Sequence, residues 1–93
     1  MAKPFRSKLV VDNADGIRKD EWVNGYYVAS SNVEWVAWAA SAPLMLVKYK
    51  DNDVIYGYIG VSRQRAVAAA LADSVGSYIA RNIKGKFQPV QIK

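Results

Sequence analysis

Cysteine and histidine are both missing from this 93-residue chain, and each absence removes a class of chemistry. With no cysteine there are no disulfides, no thiol nucleophile and no thiolate-held metal. With no histidine, the commonest general acid–base and the commonest metal ligand are gone. No apolar run approaches the roughly 18 residues of a membrane span. The start, Met1-Ala2-Lys3-Pro4-Phe5-Arg6, is basic, but no apolar signal core follows it. There is no P-loop and no dinucleotide-binding glycine fingerprint. The expectation is a soluble, cytoplasmic protein with no membrane contact, no metal and no cofactor.

Acidic residues are also scarce where basic ones are common. Residues 1–60 hold seven basic and seven acidic groups, which cancel. Residues 61–93 hold Arg63, Arg65, Arg81, Lys84, Lys86 and Lys93 against Asp73 alone. The whole net charge of +5 therefore lies in the last third. Such asymmetry points to a polyanionic partner, and a solvated basic face that keeps the protein soluble is the plainer reading.

The rest of the composition is that of a globular domain: 52% apolar, 12% aromatic and 23% charged. A single domain of this size buries roughly 60–65% of its unfolded surface, so its margin of stability is thin. Residues 1–28 read as an N-terminal extension. Ser7 to Asp12 suits an edge strand, and Asp12-Asn13-Ala14-Asp15-Gly16 is a turn. An EF-hand reading of that turn fails: with Gly16 at loop position six, Val11 and Trp22 stand where oxygen ligands belong. Asn24-Gly25, between Glu21-Trp22-Val23 and Tyr26-Tyr27-Val28, is a hairpin signal that lets the extension join a sheet.

The middle reads as a three-stranded meander. In the first strand, Val33 to Ala39, Val33, Trp35 and Ala37 share one face and Glu34, Val36 and Trp38 the other. A tryptophan on each face predicts burial on both sides. Ala40 to Pro43 turns the chain into the second strand, Leu44 to Lys50. Met45, Val47 and Tyr49 share a face there, with Leu44, Leu46, Lys48 and Lys50 opposite. Asp51-Asn52 turns into the third strand, Asp53 to Val61. A helix capped by Ser62 follows, with Val67, Ala70, Leu71 and Ser74 as its buried stripe. Gly76 breaks or bends it. A second helical segment, Ser77 to Lys84, is capped by Asp73, turns Ile79 and Ile83 inward and ends on Gly85. Phe87 to Ile92 forms a short last strand or a tail, interrupted by Pro89.

The expected fold is therefore α+β: an antiparallel β-meander of three to five strands, packed on one face by a C-terminal helical segment. Within it, Tyr56-Gly57-Tyr58 is the most informative triplet. Alternation puts both tyrosines on one face and leaves a gap opposite at Gly57. The tyrosines are either a stacking surface or a core plug facing the helix.

These motifs together resemble the KTSC domain, a family named for the C-terminal part of some lysyl-tRNA synthetases. It also occurs as small stand-alone bacterial and phage proteins. The resemblance runs from about Ala29 to Phe87. It is carried by Ser30-Ser31-Asn32-Val33, Tyr56-Gly57-Tyr58, Ala72-Asp73-Ser74-Val75-Gly76-Ser77-Tyr78-Ile79 and Ile83-Lys84-Gly85-Lys86-Phe87. Val61-Ser62 and Ala80 stand where the family often has a Val-Pro step and an Asn. The likeness implies a KTSC-like domain over 29–93 and brings with it a suggestion of RNA binding.

Two functions follow as expectations. In the first, a non-catalytic module binds RNA or DNA. Arg63, Arg65, Arg81, Lys84 and Lys86 neutralise phosphates, and Tyr56 and Tyr58 stack on bases, with Tyr49 or Trp38 as further candidates. In the second, the aromatics of the extension, Phe5, Trp22, Tyr26 and Tyr27, anchor a protein partner, as in a phage protein that binds a host factor, or drive self-association. An enzyme is disfavoured. The acids sit mostly in apparent turns, and Asp73-Ser74 has no base near it in sequence. No feature of the sequence decides among RNA, DNA and protein, or fixes the oligomeric state.

Overall fold

A computed structural model describes residues 2–9, 21–40, 43–51 and 53–92. The turn expected at Asp12 to Gly16, and Ser41, Ala42 and Asn52 of the two later expected turns, lie outside the described residues. Six strands, β1 (Lys3–Leu9), β2 (Glu21–Tyr27), β3 (Val33–Ala39), β4 (Leu44–Tyr49), β5 (Ile55–Ile59) and β6 (Pro89–Gln91), form one sheet. They lie in sequence order, each antiparallel to the next. Helices α1 (Arg63–Ala70) and α2 (Val75–Asn82) lie between β5 and β6 in the chain. The fold is α+β, and its sheet exceeds the expected three to five strands. Both ends of the chain add to it. No described helix is long and apolar enough to cross a membrane.

The sheet has a core on each face. On the helix side, Val33, Val36, Trp38, Met45, Val47 and Tyr58 pack against Ala66, Ala69 and Ala70 of α1 and Val75, Ile79 and Ile83 of α2. On the other side, Val23, Trp35, Ala37, Ala39, Leu44, Leu46, Ile55 and Ile92 form a second cluster, with Phe5 packed onto it. Both clusters are built around the central strands, so the expected burial of β3 on both faces is correct. The second cluster contains no helical residue, yet Trp35 is only 8% exposed. A flat sheet would leave that face wet. Phe5 of β1 and Ile92 just after β6, from opposite ends of the sheet, pack onto that face.

Several local expectations are corrected. The face assignment in β3 breaks at a bulge between Val33 and Trp35. The extra residue turns Val33 to the helix side with Val36 and Trp38. It also brings Glu34 to Lys48, whose Nζ lies 3.2 Å from the carboxylate. Asn24-Gly25 is not a hairpin turn; both residues lie inside β2. Gly25 is there for space. A Cβ on it would stand 2.5 Å from the Val36 carbonyl oxygen and 2.8 Å from both the Phe5 ring and the Ala37 Cβ.

In α1, Ser62 is the N-cap and its hydroxyl accepts from the Arg65 amide at 3.2 Å. The buried stripe is Ala66, Ala69 and Ala70 rather than Val67, Ala70, Leu71 and Ser74; Leu71 is 57% exposed and Ser74 is exposed. Alanines bring the helix axis close to the sheet, and the helix ends before Leu71 can turn inward. The break between helices falls at Leu71 to Ser74, and Gly76 lies within α2. Ser74, not Asp73, caps α2 by accepting from the Ser77 amide. Gly85 is not a left-handed cap: α2 ends at Ile83, and Gly60 is the described glycine with positive φ. Ile79 and Ile83 are buried as expected.

Two glycines give a graded test of this packing. Gly25→Ala meets backbone and should cost about 2 kcal/mol, a fall in Tm of about 10 °C. Gly57→Ala meets the flexible ends of Ile92 and Leu44 and should cost less. Equal losses in thermal denaturation would contradict the packing described.

Candidate functional site

The polar motifs meet at one end of the sheet, where β3 begins, β4 ends and β5 begins. Ser30 accepts the Val33 amide at 3.3 Å and donates to Asn32 Oδ1 at 3.1 Å, forming a tight polar turn. The Asn32 carbonyl accepts from the Lys50 amide at 2.9 Å, which ties that turn to the end of β4. The Asn32 side chain also rests on the first turn of α2. A Cβ on Gly76 would stand 2.8 Å from Asn32 Oδ1, so glycine there makes room for it. Beside this turn lies a groove of about 570 Å³, lined by Asn32, Tyr49, Asp51, Tyr56, Tyr58, Lys84 and Pro89.

Tyrosines form the wall. Val47 pairs with Tyr56 across β4 and β5, which makes Tyr49 the diagonal neighbour of Tyr56. Their rings meet edge to face with centroids 5.9 Å apart. Tyr58, at 3% exposure, belongs to the helix-side core. Its assignment as a base-stacking residue is corrected accordingly, because a ring buried against the helix has no face to offer. Tyr56 is half-buried and keeps part of its ring at the groove. Gly57, between them, faces the second core, where Ile92 fills the expected gap.

Tyr49 Oη is buried and has no hydrogen-bond partner of good geometry. Burial pushes its phenol well above the ordinary value, and the nearby Tyr58 and Tyr56 hydroxyls add to the shift. Tyr58 is thus close enough to act on Tyr49 without closing a proper hydrogen bond. Lys84, in the turn after α2, holds its Nζ 5.2 Å from the centroid of the Tyr49 ring.

The other predicted cations are spread out. Arg65 lies over the Phe87 ring at 5.7 Å. Arg63 lines a separate shallow hollow with Gln64 and Val67 at the start of α1. Arg81 and Lys86 are exposed and do not line the groove. Of the five cations, Lys84 alone joins the tyrosines. Trp38 is buried in the helix-side core and Tyr26 packs on it at 5.8 Å.

Asn32, Asp51 and Pro89 were legible in the sequence as motif, turn and strand-breaking residues, not as members of the site. A register argument could have found the Tyr49–Tyr56 pair, since a short turn at Asp51 to Asp53 fixes which residues face each other. The extension carries a second unforeseen cluster. Arg6 and Lys8 of β1 sit over the Trp22 ring at 4.8 and 5.6 Å. No sequence signal fixed that register, because the connection between β1 and β2 is long.

With this geometry in view, comparison with known proteins becomes informative. The family model of the KTSC domain matches residues 29–87. The chain belongs to the KTSC domain family. The matched stretch holds every residue that lines the groove except Pro89. A crystal structure of a KTSC domain protein from Yersinia pestis is similar in fold, with a TM-score of 0.68 at 22% identity. The likeness covers 76% of this chain and 99% of that one. None of the curated proteins compared matches the chain.

The orphan hydroxyl predicts a pH response. Because folding raises the Tyr49 pKa above 10.0, the folded chain holds a proton that the unfolded chain releases. Stability should therefore fall as pH rises past about 10. Tyr49→Phe should flatten that fall in chemical denaturation; a fall of unchanged steepness would contradict the burial of this hydroxyl.

Proposed function

We propose that this KTSC domain is a small non-catalytic module that binds nucleic acid through the basic face of α2 and the turn after it. The observation that carries this reading is Lys84 at the mouth of a tyrosine-walled groove, one helical turn from the exposed Arg81. Cations on that face meet phosphates, and the half-exposed Tyr56 ring offers a face to a base. Lys86 extends the positive surface, while Arg63 and Arg65 add charge near the start of α1. Tyr58 supports the wall from within rather than touching the ligand.

A second reading, a protein-docking surface on the extension, draws on Trp22 and Tyr27, which are 45% and 48% exposed. Alternation along β2 turns these two side chains to opposite faces of the sheet, so they do not make one patch. Phe5 and Tyr26 are occupied by packing on Trp35 and Trp38. The nucleic-acid reading is therefore favoured.

Replacing Arg81 and Lys84 together with Ala should weaken RNA binding and reduce the slope of log affinity against log salt by about 1–2, the share of two lost phosphate contacts. Fluorescence anisotropy across a salt series measures both. An unchanged slope would remove these residues from the interface, and salt-independent binding of a protein partner would favour the second reading.

A further inference from the structure

We propose that the groove bounded by β4, β5 and the turn after α2 is a pocket for one unpaired nucleotide, its base against the Tyr49–Tyr56 wall and its phosphate on Lys84. This rests on the nucleic-acid reading above and deepens it to a choice of strand: single-stranded rather than duplex.

Four observations converge. The volume of about 570 Å³ falls within the range of about 300–1,000 Å³ typical of small-ligand pockets. Its lining combines rings with a few polar groups of different kinds: an ammonium, an amide, a carboxylate and phenols. Tyr49 Oη is buried beside Tyr58 but closes no hydrogen bond of good geometry, so its proton can turn to an acceptor that a ligand supplies. Lys84 has no ion pair among the described residues and rests on a ring face, so its charge is not cancelled by a contacting carboxylate.

The carboxylate narrows the class further. Asp51 on the lining disfavours a ligand that is anionic throughout. It suits one that pairs an anionic group for Lys84 with N–H donors for Asp51, as a nucleotide with its base edge does. The Tyr49 phenol is neutral at physiological pH, as any phenol is, so it can act as a donor for a base carbonyl or ring nitrogen. A stacked, paired base cannot enter such a recess. A base splayed from a single strand can, and aromatic walls commonly receive such bases.

The test compares a labelled 12-nucleotide single-stranded RNA with its duplex by anisotropy at one low salt concentration, for the parent protein, Tyr49→Phe and Arg81→Ala. The single strand should bind the parent about tenfold or more tighter than the duplex, the worth of one stacked base. Tyr49→Phe should weaken the single strand several-fold without lowering Tm, leaving the duplex unchanged. Arg81→Ala should weaken both. Equal binding of the two strand forms, or single-strand binding indifferent to Tyr49→Phe, overturns the pocket while leaving the nucleic-acid reading standing. No binding of either form overturns both.

Discussion

Burial of β3 and β4 on both faces is the constraint from which the rest of this structure follows. A chain of 93 residues has little apolar area to hide, and a one-sided sheet would waste half of it. Here Trp38, Met45 and Val47 face the helices while Trp35, Leu44 and Leu46 face the opposite side, under Phe5 and Ile92. Each side demands close approach. Alanines in α1 let the helix lie against β3, and Gly25 lets Phe5 and β3 crowd onto β2. The extension is thus part of the packing: Phe5 reaches Trp35 with ring centroids 5.7 Å apart.

A dry centre pushes polar chemistry to the rim. At the end where β3 starts and β4 stops, the helix-side core thins out from Val47 to Tyr49. Asn32, Tyr49, Asp51 and Tyr56 gather there, and the turn after α2 adds Lys84. The placement of that turn depends on Ile79 and Ile83, whose burial fixes α2 on the core. The groove is thus positioned by three segments that are distant in sequence. At the α2 side, the Ser30–Asn32 turn packs against the helix where Gly76 leaves room for the Asn32 side chain.

Strand alternation made much of this legible. Both faces of β3 and β4, the Tyr56–Gly57–Tyr58 geometry, the Ser62 cap and the inward Ile79 and Ile83 can all be read from periodicity. What periodicity cannot see is a change of its own phase. The bulge after Val33 moved one residue to the other face. Asn24-Gly25 has the composition of a turn, but tertiary crowding, not local conformation, explains the glycine. The alanine stripe in α1 was read one residue late, because alanines and Leu71 look alike as apolar positions until the helix end is known. At the site, the cations were legible as a set, but their separation was not. Only Lys84 reaches the tyrosines, and Asn32 and Asp51 enter through turns whose polar residues have ordinary local explanations.

On the proposed reading, ligand contact belongs to this rim, on the α2 side of the sheet. Amide chemical-shift mapping by NMR, with single-stranded RNA added to the isotopically labelled protein, tests it most directly. The shifts should concentrate on Asn32, Tyr49, Asp51, Tyr56, Arg81 and Lys84. Shifts confined to β1 and β2, around Arg6, Lys8 and Trp22, would contradict it and move the binding surface to the extension.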